Sequence, residues 1–399
     1  MSDVPHLRFP EFSGEWEETT LGKISEITKG SGISKDQLSE QGSPCILYGE
    51  LYTKYKSEII SEVYSRTELD SSSLVKSKAN DVIIPCSGET AIDISTARCV
   101  PFNNILLGGD LNIIRLKNDD GGFFAYQLNG VRKTDIARVA QGVSVVHLYG
   151  ENLKQITVYH PAIEEQKKIT RLLSLIDERI ATQNKIIEKL ESLIKGLNNS
   201  LYDRYGDGIR TSFAGLGYSY SGLSGKSAMD FGKGKPFITY LNVYSNNVVN
   251  ENDYQYVQID EGEKQNVVQY GDVLFTLSSE TPEEVGIGSV YLGQDEVYLN
   301  SFCFGIHIVN EELAYSPYIS YYVSSTPFRK FIYPFAQGST RFNLCKADFE
   351  KASITLPSLG NQKRIHLVLN SVAMKISTER AMLEQYVTQK QYLLRQMFI

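Results

Sequence analysis

The chain has 399 residues, a formal net charge of −7 at pH 7, 42% hydrophobic residues and 22% charged residues. These values are ordinary for a folded protein of about two to three domains, and no apolar run of roughly 18 residues or more predicts a membrane span. The acidic surplus argues against a uniformly basic nucleic-acid binder, but it permits a basic binding face with acidic faces elsewhere.

The N-terminal residues and the cysteines indicate the compartment. Residues 1–6 lack the charged and apolar regions of a signal peptide. The five cysteines are scattered and show no Cys-x-x-Cys spacing, which favours reduced thiols over a zinc site. We therefore expect a cytoplasmic protein.

The first 160 residues are rich in short runs typical of β-strands, separated by Gly, Asn, Asp and Ser. These runs lie at 44–48, 82–84, 104–107, 111–114 and 156–158. A short helix is expected near 123–131. The pattern predicts a mixed domain in which strands dominate.

A heptad pattern follows His160-Pro161 and continues to about residue 201. Its apolar positions alternate steps of four and three, with Gln183 as the one polar residue on the seam. The apolar positions are Ile169, Leu173, Ile176, Ile180, Ile187, Leu190, Ile194, Leu197 and Leu201. The pattern predicts a coiled-coil helix over 161–205, and packing of a single helix on its own domain is the plainer alternative.

Residues 206–399 repeat this organisation. Strand-like runs lie at 237–241, 273–277, 289–291 and 304–308, a short helix is expected near 317–323, and a second heptad helix is predicted over 357–399. The second seam is interrupted by Glu379 and Lys390, and we expect the Lys390 ammonium group to lie in water. Pro161 and Pro357 are placed in the first helical turns, where proline is tolerated.

The two halves are related by a repeat with an offset of 196 residues. Gln141-Gly142 matches Gln337-Gly338, and Pro161 with Gln166 matches Pro357 with Gln362, without a gap. Within the strand-rich parts the offset drifts to 192 and 191 and matches are sparse. A period of this length indicates duplicated domains rather than a solenoid, whose units have roughly 20–50 residues. The helices are therefore the constant part and the strand-rich domains the variable part.

No motif in the sequence predicts catalysis or a metal site. Gly225-Lys226-Ser227 lacks the first glycine of a phosphate-binding loop, because Tyr220 occupies that position. Phe231-Gly232-Lys233-Gly234 has two of the three glycines of a dinucleotide loop. The five histidines show neither metal-ligand spacing nor a nucleophile partner. We predict that the chain is not an enzyme.

Three motifs carry a resemblance to a known family. They are Leu7-Arg8-Phe9-Pro10-Glu11-Phe12 with Trp16, Leu21 and Gly22, then Gln141-Gly142 leading to Pro161-x-x-x-x-Gln166, then Gln337-Gly338-Ser339-Thr340 leading to Pro357-x-x-x-x-Gln362. In this order they resemble the specificity (S) subunit of type I restriction–modification systems, the HsdS family, over essentially the whole chain. The second half lacks the Trp16-type motif, so its domain is placed to start near 206–221.

The resemblance implies an α+β fold. Two strand-rich mixed α/β target recognition domains, at 1–160 and 206–356, stand in pseudo-two-fold arrangement, separated by two long antiparallel coiled-coil helices at 161–205 and 357–399. It also implies a non-catalytic DNA-specificity subunit that reads a bipartite asymmetric site on double-stranded DNA, with one half-site per domain. The implied partners are two methyltransferase subunits on the spacer helices and restriction (motor) subunits. No cofactor is expected in this chain, whereas S-adenosylmethionine, ATP and Mg²⁺ would serve the other subunits.

Base readout needs amides, hydroxyls, Arg and Lys on loops that a rigid sheet supports. In the first domain the candidate DNA-binding residues are Lys29, Lys35, Tyr48, Tyr52, Lys54, Ser87, Thr90, Arg98, Gln141 and Ser144. In the second domain they are Lys226, Lys233, Tyr240, Asn242, Tyr244, Ser278, Ser279, Gln337, Ser339, Thr340 and Arg341. The basic members are expected on phosphates or guanines, with ordinary surface charges as the alternative for each. The Gln-Gly pairs fit a structural turn or a backbone contact.

Two other functions remain open from the sequence. One is a scaffold or adaptor whose paired helices bind proteins and whose strand-rich domains bind peptides or glycans. The other is an enzyme with an unrecognised site. Salt-dependent DNA binding would separate the first from a DNA-specificity subunit, because phosphate contacts release counterions.

Overall fold

The computed structural model describes residues 4–205 and 208–399. Residues 206 and 207, at the predicted start of the second recognition domain, lie outside the described residues. The chain divides into two compact units, one built from the residues up to Lys185 together with Arg380–Ile399, and the other from Ile186–Glu379. We call them unit 1 and unit 2.

The strand-rich part of unit 1 precedes the first long helix. Its strands are β1 Glu17–Thr20, β2 Ser25–Lys29, β3 Leu38–Ser39, β4 Ser43–Ile46, β5 Ser65–Thr67, β6 Asp81–Pro85, β7 Ser87–Gly88, β8 Arg98–Val100, β9 Leu106–Leu107, β10 Leu111–Leu116, β11 Val146–His147 and β12 Thr157–His160. Its helices are α1 Leu21–Ile24, α2 Glu50–Thr53, α3 Ala91–Ile94, α4 Gly121–Asn129, α5 Lys133–Val139 and α6 Gly150–Lys154. The first long helix, α7, follows at Ile163–Tyr205.

The strand-rich part of unit 2 lies between the two long helices. Its strands are β13 Ile209–Thr211, β14 Gly217–Ser221, β15 Phe231–Ile238, β16 Tyr254–Val257, β17 Val273–Thr276, β18 Ser278–Ser279, β19 Gly288–Val290, β20 Tyr298–Leu299, β21 Cys303–Ile308, β22 Ala336–Gln337, β23 Phe342–Leu344 and β24 Ile354–Leu356. Its helices are α8 Phe213–Leu216, α9 Tyr240–Ser245, α10 Ser316–Tyr322, α11 Thr326–Ile332 and α12 Lys346–Lys351. The second long helix, α13, is Leu359–Gln396.

Both strand-rich parts share the topology of their central sheet and similar smaller sheets. An antiparallel sheet in the order β2-β10-β6-β8 corresponds to β14-β21-β17-β19. A second sheet contains one parallel pair in each part, β4 with β9 and β15 with β20. The small sheet β7-β11 corresponds to β18-β23-β22. The weak repeat in the sequence therefore reflects one duplicated scaffold, and the predicted pair of mixed α/β domains with two long helices is confirmed.

A buried aspartate occupies the same place in both central sheets. Asp81 accepts hydrogen bonds from the Lys78 N–H, at 2.8 Å, and from the Arg115 guanidinium. Asp272 accepts from the Gln269 N–H and the Tyr220 hydroxyl and contacts His307 Nδ1 at 2.7 Å. Burial raises the pKa of Asp272, and the Asp81 contact raises the pKa of Arg115. Because a buried carboxylate needs partners, the partner on the neighbouring strand is charged or polar in each domain.

The long helices form part of the core of each unit. In unit 1, Arg179 lies over the Tyr386 ring at 6.0 Å and Asp177 pairs with Lys390 at 2.6 Å, so α7 and α13 run antiparallel there. The unit 1 core contains the α7 residues Ile169, Leu173 and Ile176 and the α13 residues Leu393 and Met397. The unit 2 core contains Ile365 and Leu369 of α13, with Ile194, Leu197 and Leu201 of α7 packed against it. The predicted apolar seam thus lies in or against the core in both units.

The same glutamine joins each long helix to its domain. The Gln166 amide N–H donates to the Pro161 carbonyl at 2.9 Å, and its oxygen accepts from the Asp120 N–H at 2.9 Å. In the second copy, Gln362 donates to the carbonyls of Pro357 and Leu313, at 2.8 and 2.7 Å, and accepts from the Tyr315 N–H at 2.8 Å. The Pro-x-x-x-x-Gln spacing therefore specifies a clamp between the helix and the loop before α4 or α10.

Three local predictions are wrong. Pro161 and Pro357 do not lie in the first helical turn, because α7 starts at Ile163 and α13 at Leu359, and both proline carbonyls instead accept from the clamp glutamines. The strand-like run at 237–241 ends at Ile238, since Thr239 caps α9. The Lys390 ammonium group is not in water but pairs with Glu58 and Asp177, with 14% of the side chain exposed. Among the described residues, no helix is long and apolar enough to cross a membrane.

Candidate nucleic-acid interface

A surface cleft in the second strand-rich domain collects several of the predicted site residues. Its volume is about 680 Å³. It is lined by Tyr240, Leu241, Tyr244, Ser278, Ser279, Glu280, Glu284, Thr340 and Arg341. Six of these nine were predicted from the sequence, and they come from three segments of the chain that only the fold brings together. We call it the second-domain cleft.

Helix α9 presents two stacked aromatic rings to this cleft. Tyr240 and Tyr244 are one helical turn apart, and their ring centroids are 6.0 Å apart with an interplanar angle of 17°. The Tyr240 hydroxyl donates to the Ser278 carbonyl at 2.8 Å, and Ser279 Oγ donates to Glu284 at 3.1 Å. Hydrogen bonds from Tyr244 and Ser279 lower the pKa of Glu284. The floor of the cleft is therefore held in place by its own polar contacts.

The opposite wall is the tip of the hairpin β22–β23. Gln337 pairs with Asn343, and Asn343 pairs with Ser278 on the other side. Gly338 has a φ of 143°, and a Cβ there would lie 2.1 Å from the Arg341 carbonyl oxygen. Only glycine fits this turn. The Gln-Gly pair is thus a structural turn that sets the tip, which comprises Ser339, Thr340 and Arg341.

The first domain carries the same hairpin. Gln141 pairs with His147, and His147 pairs with Ser87, as Asn343 does with Ser278. Gly142 has a φ of 123°, and a Cβ there would lie 2.1 Å from the Val145 carbonyl oxygen. Its tip, residues 143–145, is exposed throughout and contains Ser144. The repeated turn therefore has one geometry in both domains.

Other candidates of the first domain lie beside this hairpin or line a cleft of the same domain. The Tyr52 hydroxyl is 3.9 Å from the Cβ position of Gly88, next to Ser87, and Thr90 caps α3 by accepting the Asp93 N–H. A cleft of about 960 Å³ in this domain is lined by fifteen residues, among them Lys35, Tyr48 and Lys54. By the repeat offsets, Ser87, Tyr48 and Tyr52 correspond to Ser278, Tyr240 and Tyr244 of the second-domain cleft, whereas the counterparts of Lys35 and Lys54 do not line it.

Three candidates are buried by contacts within their own domain. Arg98 donates to the carbonyls of Leu51 and Tyr55, and burial lowers its pKa. Lys226 has 8% of its side chain exposed and is paired with Glu263. Asn242, which was predicted to lie on a loop, is buried in α9 and donates to two main-chain carbonyls. These contacts hold neighbouring main-chain and carboxylate groups from within the domain, so these three side chains do not face the surface.

Two basic candidates are exposed but do not line the clefts. Lys29 is the last residue of β2, and Lys233 lies in the exposed first half of β15. Neither lines the clefts described above. They remain candidates for phosphate contacts at the edge of an interface.

Several residues of the clefts were not predicted. Val143 and Val145 are exposed by 97% and 53%, which is unusual for valine, and Phe302 is exposed by 57% beside Arg341. Glu280 and Glu284 line the second-domain cleft. The 196-residue alignment could have found the valines, because Val145 is the counterpart of Arg341. Among the described residues, no cluster of three metal-ligating side chains occurs.

Comparison with known proteins agrees with this architecture. The family described as type I restriction modification DNA specificity domain matches residues 13–192 and 226–386. The type I restriction enzyme MjaVIII specificity subunit of Methanocaldococcus jannaschii is 24% identical over 202 residues, which are 50% of this chain and 44% of that protein. The aligned part thus spans less than half of that relative.

Two solved structures have the same fold along the whole chain. The crystal structure of the type I restriction–modification system S subunit from M. genitalium covers 99% of both chains, with a TM-score of 0.60 and 15% identity. A structure describing complex assembly and conformational transition of the type I R-M system covers 95% of this chain and 96% of that chain, with a TM-score of 0.58 and 14% identity. Because the family match covers both halves of the duplicated architecture, the chain belongs to the family of type I restriction–modification DNA specificity subunits.

Proposed function

We propose that this chain reads a bipartite asymmetric DNA site, with one half-site for each strand-rich domain, as the non-catalytic specificity subunit of a type I restriction–modification complex. The observation that carries the proposal is the hairpin that occurs in both domains with one backbone geometry and different tip residues. A shared scaffold with variable exposed loops is the arrangement by which related domains recognise different ligands.

The net charge does not oppose this proposal. The exposed candidates Lys29, Lys233 and Arg341 supply positive charge on the strand-rich domains, and the partner subunits can add phosphate contacts. Both domains also present tyrosine and hydroxyl side chains near the hairpins, which suit base edges and sugar–phosphate contacts. Cofactor chemistry with S-adenosylmethionine, ATP and Mg²⁺ belongs, in this proposal, to the other subunits.

Exchange of one recognition domain tests the proposal. Residues 1–160 would be replaced by the corresponding domain of another specificity subunit, and the methylated sites would be sequenced in cells that carry the complete system. We expect one half of the methylated sequence to change and the other half to stay the same. A change in both halves, or in neither, would contradict the one-domain, one-half-site model. Binding to DNA that barely responds to salt would favour the adaptor alternative.

We also propose that the long helices dock the methyltransferase subunits. In unit 2, the α13 residues Leu367 and Met374 are exposed by 68% and 65%, and Val368 beside them by 45%. Residues 367 and 374 are two turns apart on one helix face. The other face of this helix packs in the core, so the exposed apolar stripe is suited to binding another protein. In this family, the methyltransferase subunits are the expected partners.

Charged substitutions on this stripe test the docking. The double variant Leu367→Asp with Met374→Asp is expected to lower affinity for the methyltransferase subunit at least about tenfold, because carboxylates would be buried against apolar surface. The control is Val309→Asp, which places one aspartate on an exposed valine outside the helices. Co-purification and titration of the subunits are the measurements, and equal retention of the subunit by both variants would refute this docking surface.

A further inference from the structure

The hairpin tips differ most at one structural position. Residue 145 in the first domain and residue 341 in the second follow the same glycine turn, and each supplies the carbonyl that excludes a Cβ from that turn. The first position is Val145 and the second is Arg341. Because the backbone is the same, the difference between the domains at this point is one of side-chain chemistry alone.

Arg341 is braced in a manner that leaves its outer nitrogens available. Its Nε donates to Ser278 Oγ at 3.3 Å, and its guanidinium carbon lies 6.0 Å from the centre of the Phe302 ring. Among the described residues, its two terminal nitrogens donate no hydrogen bond and form no ion pair. A guanidinium that is fixed at Nε and open at both terminal nitrogens is suited to two parallel hydrogen bonds.

The surroundings of Arg341 favour a base over a phosphate as its ligand. Glu280 and Glu284 line the same cleft, and their negative charges would repel a phosphate group at this place. They can accept a hydrogen bond from a G·C base pair, since the cytosine of that pair presents an amino donor to the major groove beside the guanine acceptors. Tyr240 and Tyr244 add a stacked aromatic floor. The cleft therefore combines donors, acceptors and apolar surface rather than a purely basic groove.

The first-domain tip has the opposite character. Val143 and Val145 are exposed to solvent although both are apolar, and they flank Ser144 at the apex of a tight turn. Exposed aliphatic side chains at a tip of this kind offer no hydrogen bonds. Their natural contact in a major groove is the thymine methyl group.

We propose that position 145/341 of the hairpin is a base-reading position, at which Arg341 recognises a guanine in one half-site and Val145 contacts a thymine methyl group in the other. The inference rests on the proposed function and deepens it by assigning the base class to named residues. The two terminal nitrogens of an arginine can together donate hydrogen bonds to guanine O6 and N7.

The test uses the complete complex of this chain with its methyltransferase subunits and two DNA libraries, each with one half-site randomised. Arg341→Val is expected to reduce the preference for guanine at one position by about 10- to 100-fold. Arg341→Lys is expected to reduce it less, because the lysine ammonium group can still donate to guanine O6 and N7 but lacks the planar pair of terminal N–H groups. The other half-site should be unchanged. Val145→Arg is expected to create a guanine preference at one position of the first-domain half-site.

The controls separate a base contact from a phosphate contact and from misfolding. Lys351→Val removes a positive charge from an exposed site on α12 and should leave all base preferences intact. Melting temperatures of all variants should stay within roughly 2 °C of the parent, since each replaced side chain is exposed. If Arg341→Lys keeps the guanine preference while Arg341→Val weakens binding to every sequence equally, Arg341 contacts a phosphate and the inference is wrong.

Failure of the inference and failure of the proposed function give different results. A parent complex that binds all library members equally would refute the proposed function itself. A parent complex that selects sequences, with unchanged preferences in Arg341→Val and Val145→Arg, would refute only the assignment of position 145/341.

Discussion

Replacement of Lys390 by isoleucine is expected to lower the free energy of unfolding of unit 1 by about 3–5 kcal/mol, the usual effect of removing one partner from a buried ionic network. The Lys390 Nζ lies 2.5 Å from Glu58 and 2.6 Å from Asp177, and 14% of its side chain is exposed. Without the ammonium group, two carboxylates would face each other at the junction of α7, α13 and the first domain. Burial already raises the pKa of Glu58 in the intact network.

Asp177 makes this network sensitive to the loss of the cation. Its second oxygen accepts hydrogen bonds from Tyr126 at 2.7 Å and Ser57 at 2.9 Å, so it cannot turn away to water without breaking those contacts. Steric conflict is not the source of the effect, since the repeat places Ile194 at the equivalent position of α7. The expected loss is therefore electrostatic.

A second variant separates the electrostatic effect from a packing effect. Lys390→Ile combined with Glu58→Gln and Asp177→Asn removes all three charges, and we expect it to be more stable than Lys390→Ile alone. The chain has a single tryptophan, Trp16, which is buried in the unit 1 core against Phe123 and Phe398. Its fluorescence during urea unfolding reports on this unit. The network is not stabilising if the free energy of unfolding of Lys390→Ile lies within about 1 kcal/mol of that of the parent. The same conclusion follows if the triple variant is less stable than Lys390→Ile.

Replacement of Gln362 by leucine is expected to lower the free energy of unfolding of unit 2 by about 2–3 kcal/mol, because one buried and two part-buried main-chain groups lose their partners. These groups are the N–H of Tyr315 and the carbonyls of Leu313 and Pro357. Leucine is similar in size, so the lost hydrogen bonds and not a cavity account for the effect.

The duplicated clamp supplies its own comparison. Gln166→Leu in unit 1 removes bonds to the Pro161 carbonyl, the Asp120 N–H and the Asp119 carboxylate and should have a similar effect, measured through Trp16. Unit 2 would be followed by hydrogen exchange of the β17 and β21 amides. The control is Arg364→Leu, which lies two residues after Gln362 on α13 and is exposed. It should change the free energy of unfolding by less than about 0.5 kcal/mol. If the Gln362 and Arg364 variants behave alike, the clamp does not contribute to stability.

Elements with a strong repeating pattern were predicted well. The heptads placed the long helices within a few residues of Ile163–Tyr205 and Leu359–Gln396, and the apolar runs at 82–84, 111–114, 273–277 and 304–308 lie in or at the central strands β6, β10, β17 and β21. Buried strands appear in a sequence as runs of apolar residues, and helix seams appear as apolar residues at a regular spacing. A single sequence therefore reveals both. The family resemblance was likewise confirmed over both halves.

Side-chain roles were predicted less well because residue type does not reveal burial. Lys226 and Arg341 are both basic residues in glycine- and serine-rich segments, yet Lys226 is paired with Glu263 inside its domain, whereas Arg341 stands at a hairpin tip. Asn242 resembles a loop amide in the sequence but holds two carbonyls from within α9. Nothing in the residue type of Val145 predicts a DNA contact, and it becomes a candidate only because it is the structural counterpart of Arg341.

The sequence by itself determined that the chain is a duplication with two heptad helices, that glycine and glutamine recur at matched positions, and which family it belongs to. It did so because helix periodicity and turn geometry depend on residues close together in the chain. The tertiary structure alone decided that Lys390 is buried between two carboxylates, that the paired glutamines are clamps, and that Tyr240, Ser278 and Arg341 share one cleft. Those facts depend on contacts between residues tens to hundreds of positions apart, where a charge or an amide is stabilised only by the partner that folding brings to it.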